Sequence, residues 1–254
     1  MDLLGVRANT GTFLSQETIT LNCSISYYSH IGKRDNNEDS VAAFERQNSV
    51  VAVVADGLGG HQNGEYASRE AVDALCRILP DSTVDEDIME DAIIEADEAV
   101  RRVHTAAPGA LTTIAALWID GHQALAANVG DSRIYQFRDG RVIYQSVDHS
   151  VSQLAVLAGE ITPQQIRGHR DRNKLTRVLG GEGEAKIAQR LLDVQEGDRF
   201  LLCSDGFWEQ ITEGEMLASA DQAADAEAWL AAMRAQVEPR ASDNNTAVAV
   251  VIFG

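Results

Sequence analysis

Apolar residues recur along the first half of the chain with three different spacings. Residues 50–55 form an unbroken run of Val and Ala, which is typical of a buried strand. Residues 21–28 alternate between polar and apolar positions, and this spacing predicts a half-buried strand. Residues 64–79 and 84–103 carry apolar positions at helical spacing, and Pro80 stops the first of these segments. The pattern therefore predicts two strands and two long amphipathic helices.

The second half of the chain predicts a block of strands followed by a pair of helices. Strands are expected at residues 112–119, 124–128, 134–138, 142–144, 186–192, 200–203 and 246–253, and helices at about residues 213–220 and 225–235. Residues 150–180 break this rhythm with a polar, basic excursion for which we expect short helices. Because strands come in blocks and helices in pairs, the order favours a layered α+β fold over a doubly wound one.

Dipeptides of Asp and Gly mark three predicted turns. Asp56-Gly57 follows the buried run at residues 50–55 and is expected to be its exit turn. Asp120-Gly121 and Asp139-Gly140 lie between predicted strands, where such dipeptides are typical of hairpins. Taken singly, an Asp-Gly pair is most often only a turn. Asp139 keeps that structural interpretation.

Length, composition and charge limit the classes of protein that remain. With 254 residues, 44% of them hydrophobic, and no internal repeat or linker, the chain predicts a single domain over residues 21–254 after a loose lead-in at residues 1–20. The net charge of −18 argues against nucleic acid or an anionic membrane as a partner. Three scattered cysteines, no signal pattern and no apolar run near the roughly 20 residues of a membrane span predict a soluble cytoplasmic protein.

Candidate chemistry lies in five acidic motifs that stand at strand ends or beside glycine. Their carboxylates are those of Glu38 and Asp39, Asp56, Asp131, Asp205 and Asp243. Carboxylates from separate strand ends, without a Cys/His ligand set, are typical of a site for hard divalent cations. Thiol-phosphatase, phosphate-loop, zinc-helix and serine-hydrolase signatures are not found. What remains is water activated by carboxylate-bound metal, with Arg34 as a candidate to clamp a phosphoryl group.

These motifs, in this order, resemble a known family. The matching segments are Arg34 with Asn37-Glu38-Asp39-Ser40, Asp56-Gly57-Leu58-Gly59-Gly60-His61, Gly130-Asp131-Ser132-Arg133, Ser204-Asp205-Gly206 and Asp243-Asn244-Asn245-Thr246. From about residue 21 to the C terminus the chain is similar to the PP2C-type (PPM) metal-dependent protein serine/threonine phosphatases in their compact bacterial form.

The resemblance implies a fold and a ligand set. The fold is a four-layer α-β-β-α sandwich, with a central antiparallel β-sandwich between helical pairs and a small flap at about residues 150–180 over the site. The implied cofactors are Mn²⁺ or Mg²⁺ ions. Two ions are expected, and a weaker site adds a third. Asp56 bridges two ions and is catalytic together with Arg34. The other implied ligands are Asp205 and Asp243 for the first ion, Glu38, Asp39 and the Gly57 carbonyl for the second, and Asp131 with Asp205 for the third.

The resemblance also implies a reaction and its partners. Metal-activated water hydrolyses phosphoserine and phosphothreonine in proteins without a covalent phosphoenzyme, and a serine/threonine kinase is the biological opponent. A monomer is expected. Two alternatives stay open: a catalytically silent phosphoprotein-binding module, which would have lost a ligand Asp, and a phosphatase of the same fold for another regulator, such as an anti-sigma-factor antagonist. The second usually carries sensor domains.

Several side chains keep two interpretations. Leu58 stands where some family members place a candidate general acid His, so the proton donor is unassigned. His61 is either that donor or, as we favour, a brace for the turn at Asp56. The role of His149 is open. The basic string at residues 167–177 either contacts phosphopeptides or is a solvated face.

Overall fold

The computed structural model describes residues 21–46, 49–59, 63–79, 83–104 and 106–253. Eleven strands in these ranges form two antiparallel sheets. The first sheet has the order β1 (Asn22–His30), β11 (Asn245–Phe253), β10 (Arg199–Cys203), β7 (Arg133–Arg138) and β8 (Arg141–Gln145). The second has the order β2 (Asp39–Arg46), β3 (Ser49–Leu58), β5 (Ile114–Asp120), β6 (Gln123–Val129) and β9 (Ala188–Asp193), and the short strand β4 (Leu111–Thr112) pairs with the end of β3.

Helices cover the outer face of each sheet. Helices α1 (Gly64–Ile78) and α2 (Glu86–Val103) pack on the second sheet, and α5 (Glu213–Ala220) and α6 (Ala226–Val237) pack on the first. The connection from β8 to β9 contains α3 (Val151–Leu157) and a 3-10 helix (Pro163–Gly168), and the single turn α4 (Asp205–Trp208) follows β10. Of the helices in the described ranges, none is long and apolar enough to cross a membrane.

Central strands are apolar on both faces because both faces are covered. In β3, Val51, Val53 and Ala55 pack with α1 and α2, whereas Val50, Ala52 and Val54 meet the first sheet. Strand β11 divides in the same way between α5 and α6 on one side and the second sheet on the other. Unbroken apolar runs are the pattern expected of strands buried on both sides. The result is the predicted four-layer α-β-β-α sandwich.

Most predicted elements are confirmed, one local prediction is wrong, and the elements β2 and α4 are not among those predicted. Asp56-Gly57 is not an exit turn: both residues still belong to β3, because Gly57 pairs with Thr112 of β4. Helix α4 was not predicted, since four residues are too few to show a helical period. The Asp139-Gly140 hairpin is confirmed, with φ of 51° and 68° at its two residues, as a type I′ turn requires. The predicted lead-in at residues 1–20 lies outside the described ranges.

Close backbone packing at Gly206 gives a test of this architecture. A Cβ added at Gly206 would overlap the backbone carbonyl of Asn244, whereas at Gly214 in α5 the nearest atom would be 4.0 Å away. We expect Gly206→Ala to lower the free energy of unfolding by about 1–3 kcal/mol through forced overpacking. The matched Gly214→Ala should leave it unchanged or raise it slightly, because Ala is the better helix former. Urea unfolding followed by circular dichroism measures both, and equal effects would contradict the close packing.

Candidate metal centre

Strand pairing and strand ends bring the predicted ligands together at one edge of the sandwich. Asp39 opens β2 and is the direct register partner of Asp56 in β3. Asp131 follows β6, Asp205 opens α4 just after β10, and Asp243 precedes β11. Two sheets thus contribute carboxylates to one place, although these residues are up to about 200 positions apart in the chain.

A cavity of about 240 Å³ lies at this edge. Its lining includes Arg34, Glu38, Asp56, Gly57, Asp131, Asp205 and Asp243, and also Leu58, Asn173 and Leu175. Every predicted site residue except Asp39 therefore faces the same space. Leu58 faces it as well, and its side chain carries no proton donor.

Asp39 lies behind the cavity wall and not on it. The side chain is 8% exposed, and its Oδ2 accepts a hydrogen bond from Ser204 Oγ at 2.8 Å. Its Oδ1 is buried and makes no hydrogen bond with any described residue. Burial, and then repulsion by Asp205 and Asp243, raises the pKa of Asp39 to about 7, and nearby hydroxyl groups offset this only in part. An unsatisfied buried oxygen of this kind suits a cation or a water held by one.

The carboxylates in the cavity repel one another. Burial raises the pKa of Asp56 well above its usual value, and the charges of Asp39, Asp205 and Asp131 add to the rise. Burial and then Glu209 raise the pKa of Asp205 to about 6. The pKa of Asp131 is also well above its usual value, mainly through burial and Asp205. Such crowding disfavours the charged forms unless positive charge is near. The all-oxygen donor set fits Mn²⁺ or Mg²⁺.

Contacts within the protein engage some of these oxygens. Arg34 Nη2 lies 2.5 Å from Asp243 Oδ2, and the backbone N–H of Asn244 donates to Asp243 Oδ1 at 2.9 Å. Among the described residues no three Asp, Glu, His or Cys side chains already converge with the geometry of a bound ion. The donors that the resemblance implies are therefore present by type and location. Cation binding at Asp243 has to compete with its contacts to Arg34 and to the Asn244 N–H.

Arg34 stands at the mouth of the cavity. Its side chain is 60% exposed, and the hydrogen bond to Asp243 raises its pKa further, so the guanidinium is always charged. Glu38 sits beside it, with Oε1 accepting from the backbone N–H of Gly64 at 3.3 Å. A Cβ at Gly57 would overlap the Gly64 backbone. Glycine at this position therefore lets the start of α1 approach the loop that carries Glu38.

Asn244 is a bracing residue to which the sequence pattern gave no role. Its Oδ1 accepts from the backbone N–H of Glu38 at 2.9 Å. Its Nδ2 donates to the carbonyls of Ile31 and Asn36, each at 2.9 Å. One amide thereby fixes the loop before β2 against the residue next to Asp243. The sequence feature that could have indicated this role is the position of Asn244 within the Asp243-Asn244-Asn245-Thr246 motif.

Arg133 is a second residue that pattern reasoning missed. It is 2% exposed, and its guanidinium forms a two-point ion pair with Asp148, with distances of 2.8 and 2.7 Å. The group also lies 3.5 Å from the centre of the Trp208 ring. Trp208 Nε1 in turn donates to the backbone carbonyl of Asp131 at 2.9 Å. The pair therefore joins the segment after β6, the start of the excursion and helix α4.

The excursion at residues 150–180 is tied to the α4–α5 segment by two arginines. Arg167 donates to the carbonyls of Trp208 and Ile211 and pairs with Glu213, and Arg172 pairs with Glu209. For these two members of the basic string, the structure favours a role inside the fold over contact with phosphopeptides.

The two histidines left open differ in what the structure says of them. His149 Nδ1 accepts from the backbone N–H of Gly130 at 3.1 Å. Burial, and then the nearby charge of Arg177, lowers the pKa of His149 to about 4, so the ring is neutral at pH 7. His149 therefore braces the turn before Asp131. His61, with its two predicted roles, lies outside the described residues.

Comparison with known proteins decides the family. The sequence profile of protein phosphatase 2C matches residues 28–247. The chain belongs to the protein phosphatase 2C family. This confirms the predicted family and the predicted enzyme class.

Individual members of the 2C family show how far the likeness extends. Serine/threonine phosphatase stp of Listeria welshimeri is 33% identical over 193 residues, which are 72% of this chain and 77% of that protein. Serine/threonine protein phosphatase PstP of Mycobacterium tuberculosis is 33% identical over 194 residues, but these are 36% of its length, so the chain spans about a third of PstP. A crystal structure of the PstP catalytic domain with two manganese ions has a TM-score of 0.77 and 30% identity, covering 92% of this chain and all of that one. This likeness confirms the predicted sandwich.

The buried pair of Arg133 and Asp148 predicts a large loss of stability when one partner is removed. We expect Asp148→Ala to lower the free energy of unfolding by about 3–5 kcal/mol, because it leaves a guanidinium buried without its counter-charge. As a control at the surface, Glu98→Ala removes one of the two partners of Arg102, where the side chains of Glu98 and Arg102 are each 59% exposed, and it should cost about 0–1 kcal/mol. Urea unfolding measures the difference. A loss below about 1 kcal/mol for Asp148→Ala would refute the bracing role.

Proposed function

We propose that this chain is a metal-dependent protein phosphatase that hydrolyses phosphoserine and phosphothreonine. The observation that supports it most is the cavity in which carboxylates from separate strand ends meet beside an arginine. The Listeria and Mycobacterium relatives carry the names of serine/threonine phosphatases. A silent binding module is disfavoured, because no carboxylate of the predicted ligand set has been replaced.

We assign the ligands of Mn²⁺ or Mg²⁺ as follows. Asp56 would bridge two ions, Asp205 and Asp243 would complete the first, and Glu38, Asp39 and the Gly57 carbonyl would serve the second, directly or through water. Asp131 with Asp205 would hold a weaker third. When bound, such ions supply an acidified water as nucleophile and neutralise charge on the phosphoryl oxygens. This role suits the crowding of carboxylates, whose mutual repulsion the ions would relieve.

The remaining residues of the cavity would bind and orient the phosphoester. Arg34 has donors that do not face Asp243, and a guanidinium can hold two phosphoryl oxygens at once. The excursion at residues 150–180 would act as a flap, since Asn173 and Leu175 belong to it and line the cavity. Substrate access would then depend on a segment that carries no metal ligand.

Partners and location follow from the same proposal. The substrates would be phosphoproteins, including a serine/threonine kinase whose action this enzyme reverses. We propose a monomer in the cytoplasm. The excess of 39 acidic over 21 basic residues supports the absence of nucleic-acid and membrane partners.

Metal dependence is the direct test of the reaction. Excess chelator should abolish release of phosphate from phosphoserine and phosphothreonine peptides, and Mn²⁺ should restore it, because oxygen ligands bind such ions reversibly. Asp56→Asn should lower kcat by several orders of magnitude even with saturating Mn²⁺. Activity that persists after exhaustive chelation would rule the mechanism out.

Carboxylate crowding gives a test that does not depend on activity. In chelator, Asp205→Asn should have a higher Tm than the parent protein, because one of several mutually repelling charges is removed. Mn²⁺ should raise the Tm of the parent and have much less effect on Asp205→Asn. The exposed Asp91→Asn on α2 is the matched control and should follow the parent under both conditions. Differential scanning calorimetry reports all three proteins, and equal Mn²⁺ shifts for parent and Asp205→Asn would contradict the assignment.

Arg34 should act mainly on substrate binding. Arg34→Ala should raise KM for an aryl phosphate about 10- to 100-fold, the range expected for lost hydrogen bonds to a charged group, with a smaller effect on kcat. Arg170→Ala is the control, because this arginine is 90% exposed and does not line the cavity. Steady-state kinetics separate the two constants. An unchanged KM for Arg34→Ala would show that Arg34 does not clamp the phosphate.

A further inference from the structure

A second groove adjoins the carboxylate cavity on its flap side. It has a volume of about 390 Å³ and is lined by residues 175–178 and by the loop at residues 181–186. Leu175 lines both spaces, so they lie next to each other at this side chain. The carboxylate cavity, at about 240 Å³, is small enough to take little more than a phosphorylated side chain. The residues that flank the phosphorylated one must therefore lie outside it.

Charges in the groove are arranged by sign. Arg177 lies at the end nearest the carboxylates, where its Nη1 is 3.2 Å from His149 Nε2 and 3.3 Å from the Lys186 carbonyl. Lys186 adds a second positive charge at this end. Glu182 and Glu184 lie on either side of Gly183, whose carbonyl accepts a hydrogen bond from Arg101 of α2. The groove residues next to His149 are thus basic and those on either side of Gly183 are acidic, and the Arg101 guanidinium beside Gly183 is already paired with Asp97.

Three of the four groove charges are not used inside the fold, the exception being Arg177. Within the described ranges, Glu182, Glu184 and Lys186 form no side-chain ion pair or hydrogen bond. Charged residues of the neighbouring flap behave differently, since Arg172 pairs with Glu209 and Lys174 with Asp171. Unpaired charges of ordered sign along a concave surface are suited to a partner with the opposite order.

We propose that this groove binds the substrate polypeptide beside the phosphorylated residue and selects the order of its charges. The preferred flank has an acidic side chain nearest the phosphorylated residue, facing Arg177 and Lys186, and a basic side chain further along, facing Glu182 and Glu184. The inference rests on the proposed phosphatase function and specifies the class of phosphoprotein that suits it. Each exposed charge pair changes the specificity by about two- to fivefold in kcat/KM.

A pair of phosphothreonine peptides of equal composition tests the order of charges. One peptide carries acidic residues next to the phosphothreonine and basic residues beyond them, and the other carries the reverse order. Each peptide is made in two forms, one with the charged residues on the N-terminal side of the phosphothreonine and one with them on the C-terminal side. On one of these sides the protein should hydrolyse the first peptide at least about fourfold better, as two exposed charge pairs imply. Equal rates for both orders on both sides would overturn the proposal.

Charge reversal in the groove assigns the effect to named residues. Lys186→Glu and Glu184→Lys should each reduce the ratio between the two peptides, and the double variant should invert it. Lys174→Glu is the matched control, because it reverses a flap charge that is 68% exposed and does not line the groove. Using the ratio for each variant cancels any general change in activity. If Lys174→Glu changes this ratio of rates as much as Lys186→Glu does, the preference comes from the electrostatic field of the whole flap and not from the groove.

Binding separates this inference from the function on which it rests. The same two peptides with a nonhydrolysable phosphonate are titrated in Mn²⁺ and followed by fluorescence anisotropy. If neither phosphopeptide is hydrolysed, the proposed phosphatase function fails, yet the ratio of the two Kd values still reports on the groove. A Kd ratio near one that Lys186→Glu does not change would reject the groove independently.

Discussion

Mutual repulsion among buried carboxylates is the constraint to which the rest of the structure responds. Asp39 and Asp56 are held side by side by the pairing of β2 with β3, so their separation is set by backbone hydrogen bonds and not by the side chains. The free energy that keeps them together comes from apolar layers elsewhere, above all the strands buried on both faces. A stable sandwich can therefore carry an edge that is unfavourable by itself. The ionised carboxylates at that edge are stabilised only when positive charge lies nearby.

Rigid contacts surround this edge and limit its freedom. Asn244 fixes the loop before β2 with three hydrogen bonds, and Arg133 sits between Asp148 and the ring of Trp208. The side-chain bonds of both braces leave the predicted ligand carboxylates free of contact, although Asn244 itself lines the cavity. Some ligand oxygens are engaged by other groups: Ser204 Oγ donates to Asp39 Oδ2, and the backbone N–H groups of Gly64 and Asn244 donate to Glu38 Oε1 and Asp243 Oδ1. Arg34 contacts a further oxygen of a predicted ligand, Asp243 Oδ2.

Local patterns in the sequence were enough for the layers of the fold and for most of the site. Runs such as residues 50–55 predict strands buried on both faces, and Asp residues beside Gly at strand ends predict where carboxylates meet. Two kinds of feature were beyond this reasoning. Helix α4 is too short to show a period, and the partnership of Arg133 with Asp148 joins positions that no local pattern connects. The place of Asp39 behind the wall depends likewise on Ser204, which is 165 residues away.

The excursion between β8 and β9 joins an edge strand of one sheet to an edge strand of the other, and Arg167 and Arg172 fasten it to the α4–α5 segment. Ile166 and Leu179 of this excursion belong to the cores under the helices, but the other residues from 153 to 178 are half-buried or exposed. Insertions, deletions and charge changes there are of the kind that surface loops tolerate. Under the proposed function, such changes would alter which phosphoproteins bind while the carboxylate edge stays as it is. The architecture separates the evolution of specificity from that of the reaction, and an exchanged excursion that keeps the two arginines is a natural unit for redesign.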